Sequence, residues 1–124
     1  MTPERRTHRS QKPAEAARLF LDADARRNGY TSLTLADADG LVVVDAPTAL
    51  NSEAVAAVAP FVGEDGPSVE GLLDFVTRGQ ALRVRSFEMH GQRLFLASVG
   101  GDACPGPHAE AAMHRILGVD SVLA

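Results

Sequence analysis

The acidic run Asp37-Ala38-Asp39-Gly40 is the first place in this 124-residue chain where residue types and spacing could do chemistry. Alternating carboxylates ahead of a glycine resemble the third, fifth and sixth positions of a calcium-binding loop. With Gly40 at the sixth position, the first falls on Leu35 and the twelfth on Ala46, and neither offers a side-chain oxygen. The flanking residues alternate as strands do, so the expected role is a hairpin reversal, with Asp39 and Gly40 supplying its positive-φ positions.

The other reactive residues assemble no constellation. Cys104 and His108 lie four apart, with His90 and His114 elsewhere. A cysteine nucleophile needs a base and an orienting third group, and a zinc site needs three or four ligands of defined spacing. Ser98 has Leu96 where a nucleophile elbow requires glycine. Gly100, Gly101 and Gly106 form no dinucleotide fingerprint, and the single lysine, Lys12, leaves no phosphate-loop or Schiff-base lysine. The pairs Asp22/Asp24 and Glu64/Asp65 read as solvating charge. No catalytic residue, metal or cofactor is expected, and a binding role is favoured over an enzymatic one. Arg83, Arg85 and Arg93, on two consecutive strands, either form a cationic stripe for an acidic partner or keep a sheet face soluble.

The composition bounds the class of molecule. Nearly half the residues, 45%, are apolar, with no Trp, one Tyr and five Phe, so the core must be built mainly from Ala, Val and Leu. No run is long and apolar enough for a membrane span, and the N-terminal stretch lacks the apolar region of a secretory signal. One cysteine cannot close an internal disulfide, so a cytoplasmic location is expected. The net charge of −4 conceals a basic head: residues 1–27 carry seven Arg or Lys against four Asp or Glu. That head is short and has no interleaved aromatics, so nucleic acid is not the expected partner, and residues 1–12 are expected to be a disordered leader to one domain over 13–124.

The elements that must position these residues can be read from periodicity. From Pro13, Ala16, Leu19, Phe20 and Ala23 mark one apolar helix face, closed by Asn28-Gly29. Period two then puts Thr31, Leu33 and Leu35 on one side of a strand. "GLVVVDA" reads as a strand covered on both faces. A helix is expected to start at Asn51 or Ser52, with Pro60 kinking or ending it. A further helix is expected in "SVEGLLDFVTRG", with Val69, Leu72, Leu73 and Val76 on its apolar face. "ALRVRSFEM" and "QRLFLASVG" form a second hairpin around His90-Gly91. In its first strand Leu82 and Val84 differ in parity from Phe87 and Met89, so either a bulge falls near Arg85-Ser86 or both faces are covered. Ala109, Ala112, Met113, Ile116 and Leu117 mark a last helix between Pro107 and Gly118. The expected class is α+β, with an antiparallel sheet of four to five strands from two hairpins and helices packed on it.

"GYTSLTLADADGLVVVDAP" after one helix, then "SEAVAAVAPFV", "RVRSFEMHGQRLFLASVG" and "AEAAMHRILG", together resemble the roadblock/dynein light chain family, including bacterial members that act on small Ras-like GTPases. The resemblance covers most of residues 14–118. It implies a homodimer joined through the central helix and the strand after it, acting as a scaffold or co-regulator of a GTPase without catalysis of its own. Ala54, Ala57, Val58, Phe61 and Val84 are the residues it places near that contact. Sensor domains of the GAF and PAS type share the general layout, and a small-ligand sensor is the rival expectation.

Overall fold

The computed structural model describes residues 3–46, 50–64, 76–101 and 104–123. Their order is α1 (Pro3–Asn28), β1 (Tyr30–Asp37), β2 (Val42–Asp45), α2 (Ser52–Glu64), β3 (Leu82–Met89), β4 (Gln92–Gly100) and α3 (Pro107–Leu123). The four strands form one antiparallel sheet in the order β2-β1-β4-β3, so the two hairpins sit side by side and β2 and β3 are its edges. The fold class is α+β, as the alternating periodicities indicate. In the expected helix "SVEGLLDFVTRG", Val69, Leu72 and Leu73 lie outside the described residues, while Val76 and Thr77 are helical and buried.

Helices cover both faces of the sheet, and each face has its own core. On one side α1 and α3 enclose Ala17, Leu21, Leu33, Leu35, Phe87, Leu96 and Met113. On the other, α2 encloses Val55, Ala56, Ala59, Phe95, Ala97 and Val99. Successive strand residues point to opposite faces, so a central strand between two such cores is buried at nearly every position. This accounts for β4, buried from Leu94 to Val99. It also explains the change of parity in β3. The β3–β4 register runs unbroken from Leu82↔Val99 to Met89↔Gln92, so there is no bulge. Leu82 and Val84 pack on the α2 side and Phe87 and Met89 on the other.

Several boundaries and faces differ from expectation. Helix α1 begins at Pro3, so Pro13 lies inside it and residues before Pro13 continue the same helix. Its buried face is Ala17, Leu21, Asp24 and Ala25, whereas Leu19 is 69% exposed and Ala16 and Ala23 are exposed. A count of apolar residues missed that face because it contains a carboxylate, Asp24, whose charge is met by Arg27 at 3.7 Å. Helix α2 runs through Pro60 to Glu64 and does not end there. Proline removes the donor to the carbonyl four residues back, that of Ala56. The burial of Val55, Ala56, Val58, Ala59 and Pro60 holds the helix on the sheet in spite of that loss. Helix α3 likewise continues past Gly118. Strand β2 is covered only in part, with Val44 buried and Val43 42% exposed.

The acidic turn closes the first hairpin with Asp37 as its organiser. One Asp37 carboxylate oxygen, Oδ1, accepts hydrogen bonds from the amides of Asp39 at 2.9 Å and Leu41 at 3.0 Å. The Asp37 carbonyl accepts from Gly40, and the Asp37 amide donates to Leu41. Only Gly40 has positive φ here, +80°; Asp39 does not, contrary to the expected pairing. A three-residue loop needs one left-handed residue, whereas the two-residue His90-Gly91 turn needs two and has them, at +53° and +78°.

Candidate interaction surface

The packing of α2 decides which of its residues can meet a partner. Asn51 caps the helix, its Oδ1 accepting from the Ala54 amide at 3.2 Å, which fixes where the first turn begins. From there Val55, Ala56, Val58 and Ala59 face the sheet. Positions four apart lie on one helix face, so Ala57 and Phe61 share the outward side. Ala57 is exposed and Phe61 is 61% exposed. Of the five apolar residues singled out from sequence, Val58 belongs to the protein's own core at 3% exposure, while Ala54 and Val84 are half-buried at the margin of that core. Two of the five therefore present apolar surface outward, and covering Phe61 would remove apolar area from water.

On the face of the sheet that α2 covers lies the edge of β3, which among the described residues pairs only with β4. Met89↔Gln92 closes a two-residue hairpin, so that pair is hydrogen-bonded and the alternation of an antiparallel ladder fixes the rest. Residues 89, 87, 85 and 83 direct their amides and carbonyls to β4. Leu82, Val84, Ser86 and Glu88 direct theirs away from the sheet. Natural edges are blunted by bulges, prolines, very short strands or charged side chains. Strand β3 has eight residues, no proline and an unbroken register, and its charged residues Arg83, Arg85 and Glu88 each have a partner within the chain.

The three arginines divide between the two faces of the sheet. Arg83 and Arg85 have the parity of Phe87 and lie on the α3 side; Arg93 has the parity of Phe95 and lies on the α2 side. Each is already engaged. Arg83 donates to the Gly101 carbonyl at 3.1 Å, Arg85 Nε meets Glu110 Oε1 at 2.7 Å, and Arg93 donates to Ser86 Oγ at 3.2 Å with Glu88 at 3.8 Å. A single cationic stripe does not form.

The residues weighed for catalysis are dispersed. Cys104 is exposed. The ring of His108 packs on Phe20 and that of His114 on Phe87, with centroids 5.5 and 5.2 Å apart. Ser98 is fully buried, its hydroxyl 3.5 Å from the Arg83 carbonyl. Among the described residues no group of His, Cys, Asp or Glu is placed to hold a metal ion. A groove of about 280 Å³ opens between the two hairpin turns, lined by Asp37, Ala38, Asp39, Gly91, Gln92 and Arg93. Its lining is polar, unlike the largely apolar concavity of a small-ligand pocket. At the far end of the sheet, burial and the neighbouring Asp24 carboxylate raise the Tyr30 phenol above its ordinary value. Among the described residues no helix is long and apolar enough to cross a membrane.

The periodicity did not show that Val43 is exposed, because a strand's place at the edge of a sheet is a tertiary fact, nor that Leu41 and Leu19 are exposed in the turn and on the outer side of α1.

No family model matches the sequence, and no curated protein matches it. Among solved structures, the gliding protein MglB from Thermus thermophilus superposes with a TM-score of 0.54, at 18% identity, over 86% of this chain and 92% of that one. That likeness speaks to architecture, and it agrees with the element order and the hairpins around Asp37–Leu41 and His90-Gly91. The chain has a roadblock-like fold.

Proposed function

We propose that this chain is a non-catalytic interaction domain that homodimerises through α2 and the free edge of β3 and, as a dimer, regulates a small Ras-like GTPase. The observation that carries the dimer is the long, regular edge of β3, unpaired among the described residues, together with the exposed Phe61 on the helix that packs over the same face of the sheet as Leu82 and Val84. Strand pairing across a twofold axis satisfies the outward amides and carbonyls of Leu82, Val84, Ser86 and Glu88 and extends one sheet through both protomers. The same axis brings the two α2 helices together and covers Phe61. A chain of this size has a modest core, and such an interface adds to its buried apolar area.

The GTPase part rests on the roadblock-like fold and on the dispersal of the chain's own reactive groups. The dimer acts by holding and orienting the GTPase's catalytic groups. The rival reading as a ligand sensor draws no support from the polar groove between the hairpin turns. Sedimentation of the purified chain tests the dimer. The expected species has twice the mass of the 13.1 kDa chain, and a monomer at all concentrations contradicts the proposal.

A further inference from the structure

The free edge of β3 constrains how two copies can pair, and we infer that the twofold axis of the dimer passes through Ser86, setting Arg85 of each protomer against the partner's Phe87. This rests on the dimer proposed above. The first constraint is hydrogen bonding. In an antiparallel pair, residues that face one another are both hydrogen-bonding or both non-hydrogen-bonding. Leu82, Val84, Ser86 and Glu88 point their backbone groups outward, so an even-numbered residue must face an even-numbered one. The second constraint is extent. Within Leu82–Met89, the two symmetric registers of that parity that use most of the strand have their axes at Arg85 and at Ser86. An axis at Val84 leaves more of each strand unpaired.

Charge decides between them. Arg83 and Arg85 share one face of the strand. An axis at Arg85 sets it against its own copy in a non-hydrogen-bonding pair, the closest cross-strand approach, at about 4.5 Å between Cα atoms. An axis at Val84 faces Arg83 with the partner's Arg85, twice over. Like charges directly opposite are unfavourable in both cases, and the Glu110 carboxylate 2.7 Å from Arg85 Nε reduces that cost without relieving the crowding of two guanidinium groups at the closest cross-strand approach. An axis at Ser86 removes every such pair. Arg85 then faces the partner's Phe87, Arg83 faces the partner's half-buried Met89, and the arginine stems lie along apolar surface. Ser86 faces the partner's Ser86, two small side chains at the axis. Leu82 falls opposite the partner's His90, which has left the strand conformation with φ +53°, so its amide stays outside the ladder.

The test uses single cysteines in the full chain carrying Cys104→Ser, with a short bifunctional thiol reagent and sedimentation run alongside. Ser86→Cys places its two thiols in a facing pair with Cα atoms about 5.5 Å apart, whereas the Val84→Cys copies are offset by about 13 Å along the strand. The expected result is a cross-linked dimer formed at least about tenfold faster from Ser86→Cys than from Val84→Cys. In the unsubstituted dimer, amide exchange slows at Val84, Ser86 and Glu88 and stays fast at Leu82, a readout independent of any variant. A sedimenting dimer in which Val84→Cys cross-links faster, or in which only a mixture of the two variants does, places the axis at Val84 or Arg85 and overturns the register. A dimer with neither cross-link lies on another surface and overturns the register together with the β3 interface. A monomer removes the dimer reading and the register with it.

Discussion

Replacing Phe61 with serine separates the partner-facing role of α2 from its structural one. An aromatic side chain carries about 200 Å² of surface. With 61% of Phe61 exposed, about 120 Å² remains for a partner to cover, worth about 3 kcal/mol per protomer at ~25 cal/mol per Å². Twofold symmetry doubles this to a ceiling of about 6 kcal/mol, and ordering costs at an interface reduce the measurable loss to about 2–4 kcal/mol. The dimer dissociation constant of Phe61→Ser should therefore rise by about 30- to 1,000-fold in sedimentation across a dilution series. Chemical unfolding of the dilute monomer should move by at most about 2 kcal/mol, because phenylalanine and serine have similar helix propensities and the ~80 Å² already covered in the monomer is worth about 2 kcal/mol at the same coefficient. Undiminished self-association in the variant, or a monomer destabilised by about 3 kcal/mol or more, refutes the assignment of Phe61 to an outward contact surface.

Three further outcomes follow from the geometry. Gly40→Ala forces a methyl group onto a backbone at φ +80° and to within 3.2 Å of the Ala57 Cα. The substitution should cost about 2 kcal/mol and lower the melting midpoint by about 8 °C, and an unchanged midpoint contradicts the close packing of the acidic turn on α2. Asn51→Ala removes the cap on the Ala54 amide and should destabilise the chain by about 1 kcal/mol, while Asn51→Asp should preserve most of that stability. Tyr30 is the chain's single tyrosine, and with no tryptophan present its alkaline titration can be read directly from tyrosinate absorbance. The folded chain holds the phenolic proton more tightly than the unfolded chain. Stability is thus intact below the ordinary value of 10.0 and declines as pH rises through the folded-state value above it. A titration midpoint at or below 10.0 in the folded protein contradicts the burial of this ring.

What could be read in the sequence was local, and what could not was relational. The turn at Asp37–Leu41, the cap at Asn51, the His90-Gly91 hairpin and the apolar face of α3 all follow from side chains acting on their own neighbourhood of backbone. The apolar face of α1 did not, because Ala17, Leu21 and Ala25 share it with Asp24, and only the fold shows that Arg27 meets this carboxylate. The parity change in β3 was visible as a puzzle. Its resolution, a separate core on each face of the sheet, depends on where the helices pack. Pro60 illustrates a local rule overridden by burial, since the helix continues through it. Of the candidate contact residues, the spacing of Ala57 and Phe61 was readable, but Val58 needed the structure to be assigned to the protein's own core. The edge position of β3 is a property of strand order and leaves no trace in any single strand.

Light scattering on the full chain mixed with a purified small Ras-like GTPase, loaded with GTP in one arm and GDP in the other, reads dimerisation and partner binding together. A stable dimer is expected alone, and a larger complex whose affinity depends on the bound nucleotide is expected with the GTPase. A chain that remains monomeric in both arms and co-purifies with a small molecule contradicts the proposed function.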